Sequence, residues 1–533
     1  MGKAPTPSGT GPVSLYRNFL SVGGLTLVSR IFGFIRDALM AAVLGISPVS
    51  DAFNAAFRFP NLFRRLFAEG AFNTAFVPMF SSALETEGNE GAKELAGRIM
   101  SWLVVVIVVV TILVEIFAEQ IMVPFVPGFL NDPEKFELTV FLTRIMFPYL
   151  ACMSLMAAYA AILNSVGRFF AAAFAPVVLN IVNIGALIPL ALLTLEDRDT
   201  AFWVAIATMA GGIAQLALVY FAIRRAGFLP RLRWPKVDAE VRRFWTLAVP
   251  AILAGGITQI NIFVGTVIAS GADEVMSIIY NADRLYQLPL GIIGIAIGTV
   301  LLPELSRHIG AGRDIEARAS QSQSLFLSML LSMPAAGALI GLALPIVRVL
   351  FERGAFGPED SVNVSQALIA FAVGVPAFVL IRVLQPGFFS RQDTKTPTWF
   401  AAISLVINIV LSLALFGSLK HVGIALATSI AAWVNVVLLA AVLARRGYFR
   451  LDKTEWRQKL MIAVMTVVMA VALYGGVVLL GPVFDPGYFF PLQALALLGL
   501  CVFGAGLYFG LLHVTGVQRL GALLRRFKRT KKA

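Results

Sequence analysis

The chain has 533 residues, of which 58% are hydrophobic and only 14% charged. A soluble globule carries about 25% charged residues, so lipid is the expected solvent and a soluble enzyme is excluded. The net charge of +13 would suggest nucleic acid in a soluble protein; here it fits basic cytoplasmic loops, and no nucleic-acid partner is expected.

Residues 1–19 form a polar, Gly/Pro-rich tail without the apolar core of a cleavable signal, so the first helix is expected to be retained. Windows of about 20 apolar residues predict spans near 20–45, 51–82, 97–124, 137–163, 170–194, 201–224 and 244–270. They continue at 275–304, 322–350, 362–389, 398–417, 421–444, 459–481 and 487–514. The reading is an all-α polytopic membrane protein with about 14 transmembrane helices. An even number places both termini on one side. The basic loops 224–243, 307–318 and 445–459 and the tail 516–533 share that side, while NDPEKFE, LEDRDT, SGADEV, RGAFGPED and VFDPG lie opposite. This asymmetry predicts a multi-pass protein of the cytoplasmic membrane with both termini in the cytoplasm. The basic tail is also suited to anionic lipid heads.

Two stretches recur. SVGRFFAAAFAPVVLNIVNI (165–184) parallels SRQDTKTPTWFAAISLVINI (390–409) at an offset of 225, matching Asn183 to Asn408. ATMAGGIAQLALVYFAIRRAGF (207–228) parallels ATSIAAWVNVVLLAAVLARRGYF (427–449), matching Thr208 to Thr428. Six predicted spans separate the copies, so the halves have the same orientation and a parallel pseudo-two-fold repeat is expected. The N-lobe then covers 20–226 and the C-lobe 239–446, six helices each, with two extra C-terminal helices at 459–515. A central cleft between the lobes is the expected substrate site.

Arginines interrupt the apolar pattern. Arg30 and Arg36 lie in the first span; Arg58, Arg64 and Arg65 lie in the second. Each costs roughly 3 kcal/mol at mid-bilayer, so a wet cavity, paired acids or an anionic substrate is required. Asp51, Arg58 and Arg65 recur every seven residues and share one helical face. Arg30 and Asp37 share a face of the first helix, with Arg36 about 120° away. Five arginines against three acids (Asp37, Asp51, Glu69) leave surplus positive charge for an anion. Asp37 and Asp51 are expected to hold arginines when the site is empty. Pro60 and Gly70 are expected to bend or break the second helix. In the second half, Arg284 is expected to face the chamber. As i,i+1 neighbours, Asp283 and Arg284 each require a different partner, and Gln287 follows on a nearby face. Guanidinium suits phosphate because its planar fork donates two parallel hydrogen bonds.

Cys152 and Cys501 lie in apolar segments without C-x-x-C spacing, and His308, His421 and His513 are scattered; no metal or cofactor is expected. No P-loop motif is present, and no large outer loop offers a catalytic acid.

SRIFGFIRD, FPNLFRRLFAEGAF, ADRLYQLPLGIIGIAIGTVLLPELS and FFSRQDTKTP resemble the MurJ (MviN) family of the multidrug/oligosaccharidyl-lipid/polysaccharide exporter superfamily. The resemblance covers nearly the whole chain. It implies fourteen helices, alternating access, and a final helix pair forming a groove for a polyprenyl tail. It implies a transporter in bacterial cell wall synthesis, flipping lipid II (undecaprenyl-diphosphate disaccharide-pentapeptide) to the outer leaflet of the inner membrane. Its functional positions map to Arg30, Arg36, Asp37, Asp51, Arg64, Arg65 and Arg284, with Arg58 at a basic position. Gln287 stands where at least one relative has an acid. Some members bind sodium through acids on helices seven and eleven; TQINIFVGTV has none, so sodium coupling is unsupported. The expected partners are lipid II, membrane lipids and the peptidoglycan synthesis machinery, and the expected state is a monomer. A drug antiporter of the same superfamily is the rival reading, disfavoured by the sign of the membrane charges; a membrane glycosyltransferase lacks a catalytic loop.

Overall fold

The computed structural model describes residues 12–65, 72–193, 195–449 and 453–517. Among these every regular element is a helix. Among the described residues, nine helical segments are long and apolar enough to cross a membrane, by length and composition. Helices satisfy all their backbone groups internally, which a lipid-embedded chain requires.

The chain divides into two units, Met1–Val267 and Ile268–Ala533. The first holds α1 (Pro12–Leu44), α2 (Pro48–Arg64), α3 (Phe72–Thr86), α4 (Gly88–Phe125), α5 (Pro133–Met146), α6 (Tyr149–Ser165), α7 (Phe170–Leu192), α8 (Asp197–Ala226) and most of α9 (Ala239–Ala269). The described helices α2 and α3 lie along the expected span 51–82; Glu69 and Gly70 lie outside the described residues. Helix α2 runs through Pro60 without breaking. Stacked rings of Phe72, Phe76 and Phe80, with centroids 4.7 and 5.5 Å apart, form the α3 face of one core. A second core joins Ala52, Phe53 and Ala56 of α2 to Leu138, Leu142 and Met146 of α5.

The second unit holds α10 (Val275–Gly310), α11 (Asp314–Gly341), α12 (Ala343–Phe351), α13 (Pro358–Leu384), α14 (Pro386–Phe389), α15 (Lys395–Arg445), α16 (Lys453–Leu479) and α17 (Phe490–Val514). Helix α15 has 51 residues and a non-helical break at Lys420 (φ 43°). It therefore contains two helices, at the boundary predicted between 417 and 421. Helix α16 packs closely on α11, because Gly337 and Gly341 present a flat stripe to Thr466, Met469, Ala470 and Leu473. Small residues at i and i+4 are how membrane helices approach where burial from water offers no driving force.

The sequence repeat has local counterparts within each unit. Thr208 Oγ1 donates to Asn183 Oδ1 at 3.2 Å, and Thr428 Oγ1 donates to Asn408 Oδ1 at 3.3 Å. Gly227 closes α8 in the left-handed region, and Gly447 takes the same conformation after α15. Gly167 has φ 75°, and Gln392, its counterpart at offset 225, has φ 61°.

Candidate substrate site

Helix α2 begins with Ser47, whose hydroxyl accepts the Ser50 N–H at 3.1 Å, and with Pro48 in its first turn. That cap fixes where Asp51 enters the protein. Asp51 is fully buried, and Lys135 Nζ of α5 meets its carboxylate at 2.9 Å with the lysine side chain only 1% exposed. The pair adds to the sequence reading a residue it did not name. Within NDPEKFE, Asp132 caps α5 by accepting the Lys135 N–H at 3.1 Å. Lys135 is thus one ion-pair partner of Asp51. Lys135 also lies 4.3 Å from the Phe129 ring centroid. The signal that could have found it is D-P-E-K, an N-cap followed by proline at N1, which opens a helix at Pro133.

Further along α2, Arg58 is half-buried and donates to Thr266 Oγ1 of α9 at 3.4 Å. Arg64 donates to Asn61 Oδ1 at 3.0 Å, while Asn61 Nδ2 donates to the Phe57 carbonyl at 2.8 Å. Arg65 is exposed at the end of the helix. On α1, Arg30 is exposed, and Arg36 folds onto its neighbour Asp37, with contacts of 2.7 and 3.1 Å to one carboxylate oxygen. As consecutive residues the two lie about 100° apart around the helix axis; the long arginine stem bridges that separation. Gly33 makes room for Asn180 of α7, whose Nδ2 donates to the Ser29 carbonyl at 3.1 Å.

In the second unit, Arg284 donates to Tyr280 OH at 3.0 Å and lies 4.6 Å from that ring's centroid. Asp283 instead accepts from Gln287. The adjacent charges thus have different partners, each one helical turn away. Arg382 packs its guanidinium over Gly294 of α10, where an added Cβ would lie 3.2 Å from Nη1. Among the described residues, no cluster of three or more His, Cys, Asp or Glu could hold a metal.

The long apolar helices define a polytopic membrane protein, and guanidinium groups on α1 and α2 are chemically suited to an anion. The family described as "Lipid II flippase MurJ" matches residues 40–495. A Rhizobium meliloti (strain 1021) protein named "Probable lipid II flippase MurJ" is 45% identical, with 97% of each chain covered. "Lipid II flippase MurJ" of Burkholderia cenocepacia is 34% identical over 95% of this chain and 98% of its own. A solved "Lipid II flippase MurJ, inward closed conformation" superposes with TM-score 0.74 at 26% identity, covering 92% of this chain and 98% of that one. An inward-facing multidrug resistance MATE transporter of the MOP superfamily shares the fold, with TM-score 0.66 at 14% identity over 80% and 97%. The chain belongs to the lipid II flippase MurJ family.

Proposed function

We propose that this protein flips lipid II from the inner to the outer leaflet of the bacterial inner membrane by alternating access. The observation that carries the reading is the match of nearly the whole chain to lipid II flippases, joined to the arginines of α1 and α2. In this reading the diphosphate is received by Arg30, Arg36, Arg58, Arg64 and Arg65, with Arg284 as a further contributor. Asp37, Asp51, Glu69, Asp283 and Gln287 orient those cations or gate access to them. Guanidinium retains its charge in a low dielectric and matches phosphate oxygens in pairs, so a diphosphate can engage two or three groups at once. The polyprenyl tail stays in the bilayer or along α16 and α17. Fourteen spans, arranged as six-helix lobes at 20–226 and 239–446 plus the final pair, with both termini cytoplasmic, complete the proposal. The protein acts as a monomer that supplies the peptidoglycan synthesis machinery.

The test is reconstitution. Purified protein in liposomes should move labelled lipid II to the opposite leaflet, and Arg36→Ala with Arg284→Ala should reduce the rate at least about tenfold, a loss of 1.4 kcal/mol. Equal movement by empty liposomes, or by the double variant, would overturn the reading.

A further inference from the structure

Lys135 belongs to no functional set named so far, yet it is among the most completely buried charges in the first unit. Its side chain is 1% exposed and its Asp51 partner is fully buried. Three further contacts immobilise it. The Phe129 ring flanks the ammonium, Asp132 holds its backbone N–H, and its carbonyl accepts the Thr139 hydroxyl at 2.7 Å. Beside the pair, Ala52, Phe53 and Ala56 of α2 pack on Leu138 and Leu142 of α5, leaving α2 and α5 as one packed body.

We infer that Lys135 is a positioning residue for the substrate arginines of α2. The inference rests on the proposal that those arginines bind the diphosphate. Asp51 and Arg58 are seven residues apart, so they differ by only about 20° around the helix axis. Whatever fixes the rotation of α2 at Asp51 therefore fixes the direction of Arg58 two turns later. A slip of one residue at the seam would swing Arg58 by about 100°. An apolar pair of similar volume fills a buried seam as stably as an ion pair does. What the ion pair adds is direction: the ammonium, flanked by the Phe129 ring and carried on a backbone pinned by Asp132 and Thr139, donates to the carboxylate in one orientation of the helix. Lys135 itself need not touch substrate.

The test uses the full-length protein in liposomes with labelled lipid II, measuring initial rate against lipid II content. The variants are Lys135→Met, Lys135→Arg, the double Asp51→Leu/Lys135→Met, and Arg58→Gln as the reference for a lost substrate contact. The double variant guards against a single variant that does not fold. We expect the double variant to melt at or above the parent temperature. Its half-saturating lipid II content should rise about tenfold, the scale of losing a supporting contact, with the maximal rate kept. Lys135→Arg should stay within about threefold of the parent. A cysteine introduced as Asn61→Cys, in a background carrying Cys152→Ser and Cys501→Ser, should change its modification rate by a charged thiol reagent when the double substitution is added. A folded double variant with parental half-saturation, while Arg58→Gln is weakened, refutes the positioning role and leaves the substrate reading standing. Parental half-saturation in both refutes the substrate reading, and the inference with it. An unaltered modification rate at position 61 also refutes the positioning role.

Discussion

Replacing Gly341 with leucine should loosen α16 from α11. A Cβ at position 341 stands 2.8 Å from the Ala470 carbonyl oxygen and 3.2 Å from Leu473 Cβ. Ordinary contact begins at 3.4 Å, so the first added carbon alone displaces α16 by about 0.6 Å, and a gap of that size forfeits a quarter or more of each dispersion contact. The obstacle is backbone, which cannot rotate aside. The contacts at risk belong to Ile462, Met465, Met469 and Leu473, all buried in the α16 core. In lipid these side chains gain little from leaving their surroundings, so fit holds the helices together. Overpacking of this kind costs about 1–3 kcal/mol. The assay is thermal unfolding in detergent, followed by intrinsic fluorescence, with Gly475→Leu as control because nothing lies within 4 Å of a Cβ there. Gly341→Leu should melt clearly below the parent and the control. Equal melting of the two variants would refute the reasoning.

Three further outcomes follow from single contacts. Asp393 accepts the Thr396 N–H at 3.0 Å and Arg446 at 2.6 Å, and the backbone bond from Thr396 leads the effects that lower its pKa to about 2. A depressed carboxylate stabilises the fold above its ordinary value of 3.8 and loses that contribution as pH falls toward 2. Asp393→Asn should therefore lower the melting temperature at pH 7, with the difference shrinking below pH 4; a difference independent of pH contradicts this. Thr208→Val and Thr428→Val should each cost about 1 kcal/mol in chemical unfolding, because each removes the equivalent hydroxyl in its own unit; strongly unequal losses would contradict the equivalence. Gly167→Ala should cost roughly 1–2 kcal/mol through its left-handed backbone, whereas Gln392→Gly should raise the melting temperature, and a drop there would contradict the strain argument.

The helical class was legible because long apolar runs admit little else in lipid. The break near Lys420 was legible as a polar interruption between two apolar windows. The repeat was legible in Asn183 and Asn408, whose matched threonines make the same hydrogen bond in each unit. Lys135 was not. A short run of Asn, Asp, Pro, Glu and Lys reads as solvent-exposed, and only the packing of α5 on α2 reveals a buried ammonium. The Arg36–Asp37 contact was missed for a different reason: helical phase places the Cβ atoms, but a long arginine stem sets where the charge lies. The same phase argument succeeded at Asp283 and Arg284, because Gln287 and Tyr280 offer partners one turn away. The crowding of arginines on α1 and α2 was visible from the first residues read, since apolar surroundings make each one conspicuous.

The most direct measurement is the affinity of the purified protein for undecaprenyl diphosphate, titrated in detergent against Arg36→Ala, Arg58→Ala and Arg284→Ala. The account predicts saturable binding by the parent that weakens at least about tenfold, or 1.4 kcal/mol, in each variant and falls as salt screens the charges. Parental affinity in all three variants would contradict the account, and so would equal binding of an uncharged polyprenol.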